Sequence, residues 1–181
     1  MSQFMNRLRE DHARLGRAVT AMRAHIGSRD RDERGAWLDL LASLVDYVAE
    51  YPDVVHHPRE DRLFERLVDQ GLTPAERQLV AMNLAEHAKL AEATERLMAD
   101  VDAVLAGATL SETDLATHAL NYLDLQVEHM RREEAQLFPL AERLLSEADF
   151  EALDQELAAQ RDPLFEQRAT RYDDLLEFIA A

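Results

Sequence analysis

Leu8, His12, Leu15, Val19, Met22 and Ile26 follow one another at alternating intervals of four and three residues. At 3.6 residues per turn this spacing brings all of them to one side of an α-helix, and it does not fit the two-residue period of a strand. Three later segments repeat the pattern, through Leu41, Val45, Val48, His56, Glu60, Leu63 and Leu67, then Val80, Leu84, His87, Leu90, Thr94, Leu97 and Val101, then Leu115, Tyr122, Leu125, His129, Glu133, Gln136, Leu140 and Leu144. With only five glycines and five prolines, the chain has few breakers, which points to an all-α fold. Long amphipathic helices joined by short loops bury such stripes as an antiparallel up-down four-helix bundle.

The local signals set the boundaries. The first helix is expected from about Gln3 to Ile26, and the second from beyond the polar stretch Gly27 to Asp32 as far as Gln70, with Gly71 in the C′ position. Pro52 and Pro58 fall inside the second helix, so a bend or a locally unwound turn is expected near "YPDVVHHP". Thr73, Pro74 and Glu76 form a capping signal for the third helix, which gives way around Gly107, and Ser111 with Glu112 opens the fourth. Two shorter helical pieces are expected to start near Ser146 and at "DPLF", where Asp162 caps and Pro163 takes the first helical position. The expected organisation is a bundle over 1–145 and a helical extension over 146–181 that packs on it.

Thirty-six acidic residues against twenty basic ones leave a formal charge of −16, which repels a phosphate backbone and argues against nucleic acid as a partner. No apolar run approaches the ~20 residues of a membrane span, and "MSQFMNRLRED" lacks the apolar centre of a secretory signal, so a cytoplasmic protein is expected. With no cysteine, thiolate metal sites and disulfides are excluded, and any metal has to be held by nitrogen and oxygen.

Each of the four stripes carries one histidine, and two of them carry a glutamate four residues further on: His56 with Glu60, and His129 with Glu133. Four residues place both side chains on one face, about one turn apart. Buried without partners, such groups would cost several kcal/mol per charge, against a typical domain stability of roughly 5–15 kcal/mol. A metal ion would offset that cost and couple its own binding to folding. A weak internal repeat supports the layout: "EDHARL" resembles "EHAKL", and "HHPREDRLF" resembles "HMRREEAQLF", at offsets of 75 residues from His12 to His87 and 73 from His56 to His129. His25 points away from this face, and His118 shares the face of His129 but stands too far along it, so it is expected at a rim or in packing. Tyr122 is expected in the core or lining the pocket.

The order His12, His56 to Glu60, His87, His129 to Glu133 resembles the hemerythrin-like family, the HHE cation-binding domain, over residues of about 1 to 145. That resemblance implies a four-helix bundle around two iron ions, an oxo- or hydroxo-bridged di-iron centre, with Glu60 and Glu133 bridging and the four histidines as terminal ligands. The oxygen carriers of the family have a second histidine one turn from the first on the third helix, whereas the positions four before and after His87 are Asn83 and Ala91. Water, Tyr51 or His57 are the candidates for that coordination place. The oxygen carriers also use an acid five residues after the last histidine, so Glu134 competes with Glu133, and the repeat favours Glu133 by pairing it with Glu60.

The function expected on this basis is binding or reduction of a small oxidant such as dioxygen, peroxide or nitric oxide. Iron storage or delivery and a metal-free interaction bundle are the alternatives. Ferritin-like Glu-x-x-His motifs and the His-Glu-x-x-His of zinc peptidases are both absent from the sequence. Manganese and zinc remain compatible with the ligand types.

Overall fold

The computed structural model describes residues 2–27, 34–107 and 110–159. Its elements are α1 (Gln3–Gly27), α2 (Arg34–Glu50), a π-helical turn (Pro52–His56), α3 (His57–Val68), α4 (Pro74–Leu105), α5 (Glu112–Arg132), a second π-helical turn (Glu133–Leu137), α6 (Phe138–Leu144) and α7 (Glu147–Ala159). The two π turns join α2 to α3 and α5 to α6, so the bundle consists of four rods. The "DPLF" segment lies outside the described residues.

The starts of the helices obey local chemistry. Ser2 Oγ accepts from Met5 N at 3.2 Å at the head of α1. Thr73 and Glu76 close a reciprocal capping box at α4, with Pro74 in the first turn. Ser111 accepts from the backbone of Asp114 at α5. Ser146 and Asp149 exchange bonds in the same way at α7. At the C-terminal ends, Gly107 adopts φ +77° just beyond α4, a left-handed conformation that suits glycine. Gly71 is not in that conformation: α3 stops earlier, with Asp69 as its right-handed C-cap.

The bend expected at the prolines takes the form of a wider turn. His56 N donates to Tyr51 O and His57 N to Pro52 O, both five residues back. Phe138 N does the same to Glu133 O in the fourth rod. A proline lies two residues past each π turn, at Pro58 and at Pro139. Proline offers no N–H and crowds the carbonyl four residues before it, and a wider preceding turn accommodates both effects without ending the rod.

Two apolar clusters fill the bundle. One holds Leu15 to Ile26 of α1, Leu38 to Val55 of the second rod, Leu97 to Val104 of α4 and Leu115 to Leu123 of α5. The other holds Phe4 to Leu8, Leu63 to Leu72, Val80, and Leu137 to Leu145, together with Phe150 and Leu153 of α7. Each cluster therefore gathers alternately the beginning and the end of successive rods, which is the antiparallel up-down arrangement. The α7 helix closes the second cluster, with Arg7 paired to Asp154 and Arg66 to Glu156. Among the described residues no helix is long and apolar enough to cross a membrane.

Candidate metal centre

Between the two clusters lies a polar layer, because each rod changes from apolar to ligand-type residues at the same height. His12 stands between Leu8 and Leu15, His56 and Glu60 between Val55 and Leu63, His87 between Val80 and Leu97, and His129 between Leu123 and Leu137. All six side chains singled out from the sequence converge there. The glutamates are fully buried and the most exposed of the histidines, His12, is 7% exposed.

Their inward atoms form two poles. Glu60 Oε1 faces His12 Nε2 at 3.3 Å and His56 Nε2 at 3.2 Å, whereas its Oε2 faces His87 Nε2 at 3.5 Å. Glu133 does the converse, with Oε2 at 3.3 Å from His12 Nε2 and Oε1 at 3.4 Å from His87 Nε2 and 3.3 Å from His129 Nε2. Each carboxylate therefore spans both poles. One ligand atom each of His57, Glu60, His87 and His129 lies within 4.8 Å of the others, and the same is true of His12, His56 and Glu60.

The outward nitrogens are equally ordered. His12 Nδ1 is hydrogen-bonded to Glu134 at 3.0 Å, His56 Nδ1 to Asp11 at 3.4 Å, His87 Nδ1 to Asp61 at 2.6 Å and His129 Nδ1 to Glu86 at 3.4 Å, whereas His57 Nδ1 lies 3.1 Å from Asp53 Oδ1 without a hydrogen bond to it. A carboxylate on Nδ1 keeps a proton on that nitrogen and leaves Nε2, turned inward, as the nitrogen a metal would take. Arg59 in turn binds Asp11 at 3.0 Å, and Arg132 binds Glu86. The internal repeat thus extends outward from the ligand-type residues: Asp11, Arg59 and Asp61 of the first half have counterparts in Glu86, Arg132 and Glu134.

Several other positions are now resolved. Glu134, with its side chain 39% exposed, lies on the outer face of His12, and Glu133 is the inward acid. Tyr51 donates its hydroxyl to Asp11 at 2.5 Å and faces away from the centre. His57, which the stripe omits, is buried beside His87 and His129, with ring centroids 4.5 Å and 5.5 Å away. Its signal in the sequence is the proline that follows, since the widened turn brings consecutive residues to the interior. Asn83 is buried and donates to Glu133 Oε1 at 2.6 Å. Tyr122 belongs to the first apolar cluster, its hydroxyl bonded by Thr94 and Gln126. His118 pairs with Asp100 on the surface, and His25 is half-buried on α1, so neither joins the centre. The second π turn corrects the fourth stripe, because Leu137 is buried in place of Gln136; Leu125, on α5 ahead of that turn, is exposed rather than buried.

The electrostatics of the layer are those of acids and imidazoles compressed together. Burial opposes the charged form of His12, but Glu133, Glu134 and Glu60 outweigh it and push the ring up to about 11. His87 is likewise disfavoured by burial and pushed up to about 10 by Asp61, Glu133 and Glu60. Burial and the Glu60 charge work against ionised Glu133, yet His12, His87 and His129 hold it down at about 2. Glu60 is held well below the ordinary carboxylate range against burial, by His56 and His12. Burial lowers His57 and His129.

Whether a metal suits this layer is tested by the polar atoms left over. His12 Nε2, His56 Nε2, His57 Nε2, His129 Nε2, both Glu60 oxygens and Glu133 Oε2 are buried without a hydrogen-bond partner. Buried polar atoms of this kind rarely go unpaired, and here they cluster in one layer. The donor set of imidazole and carboxylate suits a first-row divalent cation. The fold and the layer together define a helical-bundle protein with a candidate His/Glu metal site. The family model of the hemerythrin HHE cation binding domain matches residues 3–141, and the chain belongs to that family. No curated protein was found to match it.

Proposed function

We propose that the chain holds two iron ions, bridged by Glu60 and Glu133 and bound terminally by His12, His56, His87 and His129, and that it binds or reduces a small oxidant. The observation that carries this reading is that both glutamates turn one oxygen to the His12–His56 pole and the other to the pole of His87. A single ion would not need two carboxylates each divided in this way. When bound, such a centre supplies redox chemistry and a coordination place for dioxygen, peroxide or nitric oxide.

The residues of the chain prepare that chemistry in three ways. The acids on the Nδ1 atoms orient each ring and keep its inward nitrogen free to bind. The apolar clusters on either side keep bulk water from the layer, which strengthens the charge interactions within it. The rods fix the histidines through side chains buried on helices, which position a site more firmly than loops do. In this reading residues 1–145 form the functional unit, and α7 serves packing.

Anaerobic loading with Fe(II), followed by metal counting and exposure to each oxidant, tests the proposal. Two irons per chain and a near-ultraviolet absorption change on adding oxidant are expected. A chain that retains one ion, or retains two without responding to any of the three oxidants, contradicts it.

A further inference from the structure

Glu60 and Glu133 hold matching places in the two halves of the repeat, yet their hydrogen bonding differs. His12 Nε2 lies 3.3 Å from Glu60 Oε1, as His87 Nε2 lies 3.4 Å from Glu133 Oε1. Asn83 Nδ2 also donates to Glu133 Oε1, at 2.6 Å, whereas both oxygens of Glu60 are buried without a hydrogen-bond partner. Asn83 and Glu133 are both fully buried, and a charge-assisted bond shielded from bulk water is short and strong.

The repeat also shows what stands in place of this amide in the first half. Asn83 precedes His87 by four residues, and the same place before His12 is taken by Leu8. Leu8 is buried in the second apolar cluster, so a side chain of similar size without polar atoms satisfies packing at this height. Asn83 fills its place less favourably, because its Oδ1 is buried without a partner. Turning the amide over would not help, since Oδ1 would then face the Glu133 carboxylate. The need for an N–H at Glu133 accounts for the asparagine where packing does not.

We infer that Asn83 is a positioning residue that fixes Glu133, and that Glu60 is the carboxylate free to change its attachment when a further ligand enters the layer. The inference deepens the two-ion reading above and rests on it. The terminal torsion of a glutamate is broad, so a carboxylate without a donor turns easily. The bond from Asn83 removes that freedom from Glu133 before any metal arrives. Glu60 has no such donor, so it is the one that gives way to an incoming anion. Two glutamates that are alike in the sequence are thereby divided into a stationary one and a movable one.

Crystal structures of the full chain metal-free, loaded with Zn(II), and loaded with Zn(II) and azide test this in the parent, N83L, L8N and the exchange variant L8N/N83L. Zinc has no redox chemistry, so these structures report coordination and not turnover. In the parent, Glu133 should stay within ~0.5 Å across the three forms, whereas Glu60 should change rotamer when azide binds. N83L should release Glu133 as well, and L8N should hold both glutamates. The exchange variant should reverse the order, holding Glu60 and freeing Glu133, which a merely structural asparagine does not predict. Azide titration of the Co(II)-loaded chain gives a second readout: L8N should weaken azide by roughly 10-fold and N83L by less than about threefold. Equal displacement of the two glutamates in the parent, none included, or an unchanged order in the exchange variant would overturn the role of Asn83 while leaving the two-ion reading intact. A parent chain that takes fewer than two zinc ions at the glutamates would overturn both.

Discussion

Asp61 holds Nδ1 of His87 at 2.6 Å across the interface between α3 and α4, although each belongs to a different half of the repeat. Glu134 does the same for His12 at 3.0 Å, so each half supplies the acid that orients the other half's histidine. If these acids set the ring orientation, D61N and E134Q should each reduce metal affinity by roughly 10- to 100-fold while the number of ions bound stays the same. Competition against a coloured chelator measures this, and unchanged affinity in both variants would remove the orienting role.

The two inward glutamates should behave differently. Because Glu60 and Glu133 each face both poles, E60A and E133A are expected to lose ions from both rather than from one, reducing stoichiometry below two. Metal-free E60A should also be destabilised by about 3–5 kcal/mol, since His12 and His56 lose the buried charge that compensates them. Metal analysis and urea unfolding report the two effects separately. One ion retained at full strength in either variant is incompatible with bridging.

The response to pH should reverse on metal loading. His12 and His87 are raised from 6.5 to about 11 and about 10, so their contribution to metal-free stability is complete below pH 6.5 and is lost as pH rises through those values. Glu133, lowered from 4.5 to about 2, contributes above pH 4.5 and loses that contribution as pH falls through about 2. His57 and His129, lowered from 6.5 by burial, tip the balance the other way by costing stability as pH drops below 6.5. The metal-free chain should therefore be most stable near about pH 6 and weaken towards alkaline pH. In the loaded chain protons compete with metal for Nε2, so stability should rise with pH over the same range. Thermal unfolding at a series of pH values, with chelator and with metal, compares the slopes; equal slopes would contradict the site.

Removal of the α4 capping box provides a control remote from the centre. T73A takes away the hydroxyl that accepts from Glu76 N, at an expected cost of about 1 kcal/mol, or roughly 2–4 °C in melting temperature. Metal affinity should not change. A parallel loss of metal in T73A would show that the layer depends on global stability rather than on its own residues.

The four stripes, the boundaries marked by Thr73 and Ser111, and the pairing of His56 with Glu60 and of His129 with Glu133 were legible in the residues themselves. Periodicity is a local property, and four rods with matching stripes have few ways to bury them. The repeat also pointed to Glu133 over Glu134, because equivalent positions in paired helices face the centre alike.

Tertiary structure alone decided which residues surround those six. His57 and Leu137 turn inward because π turns change the helical period ahead of Pro58 and Pro139, and a constant 3.6-residue count loses register at such turns. The pairing of His87 with Asp61, and of His12 with Glu134, depends on the distance between helices, which no spacing along one helix encodes. Sequence thus specified the faces that meet, and the packing of the rods specified which atoms on those faces come within reach of one another.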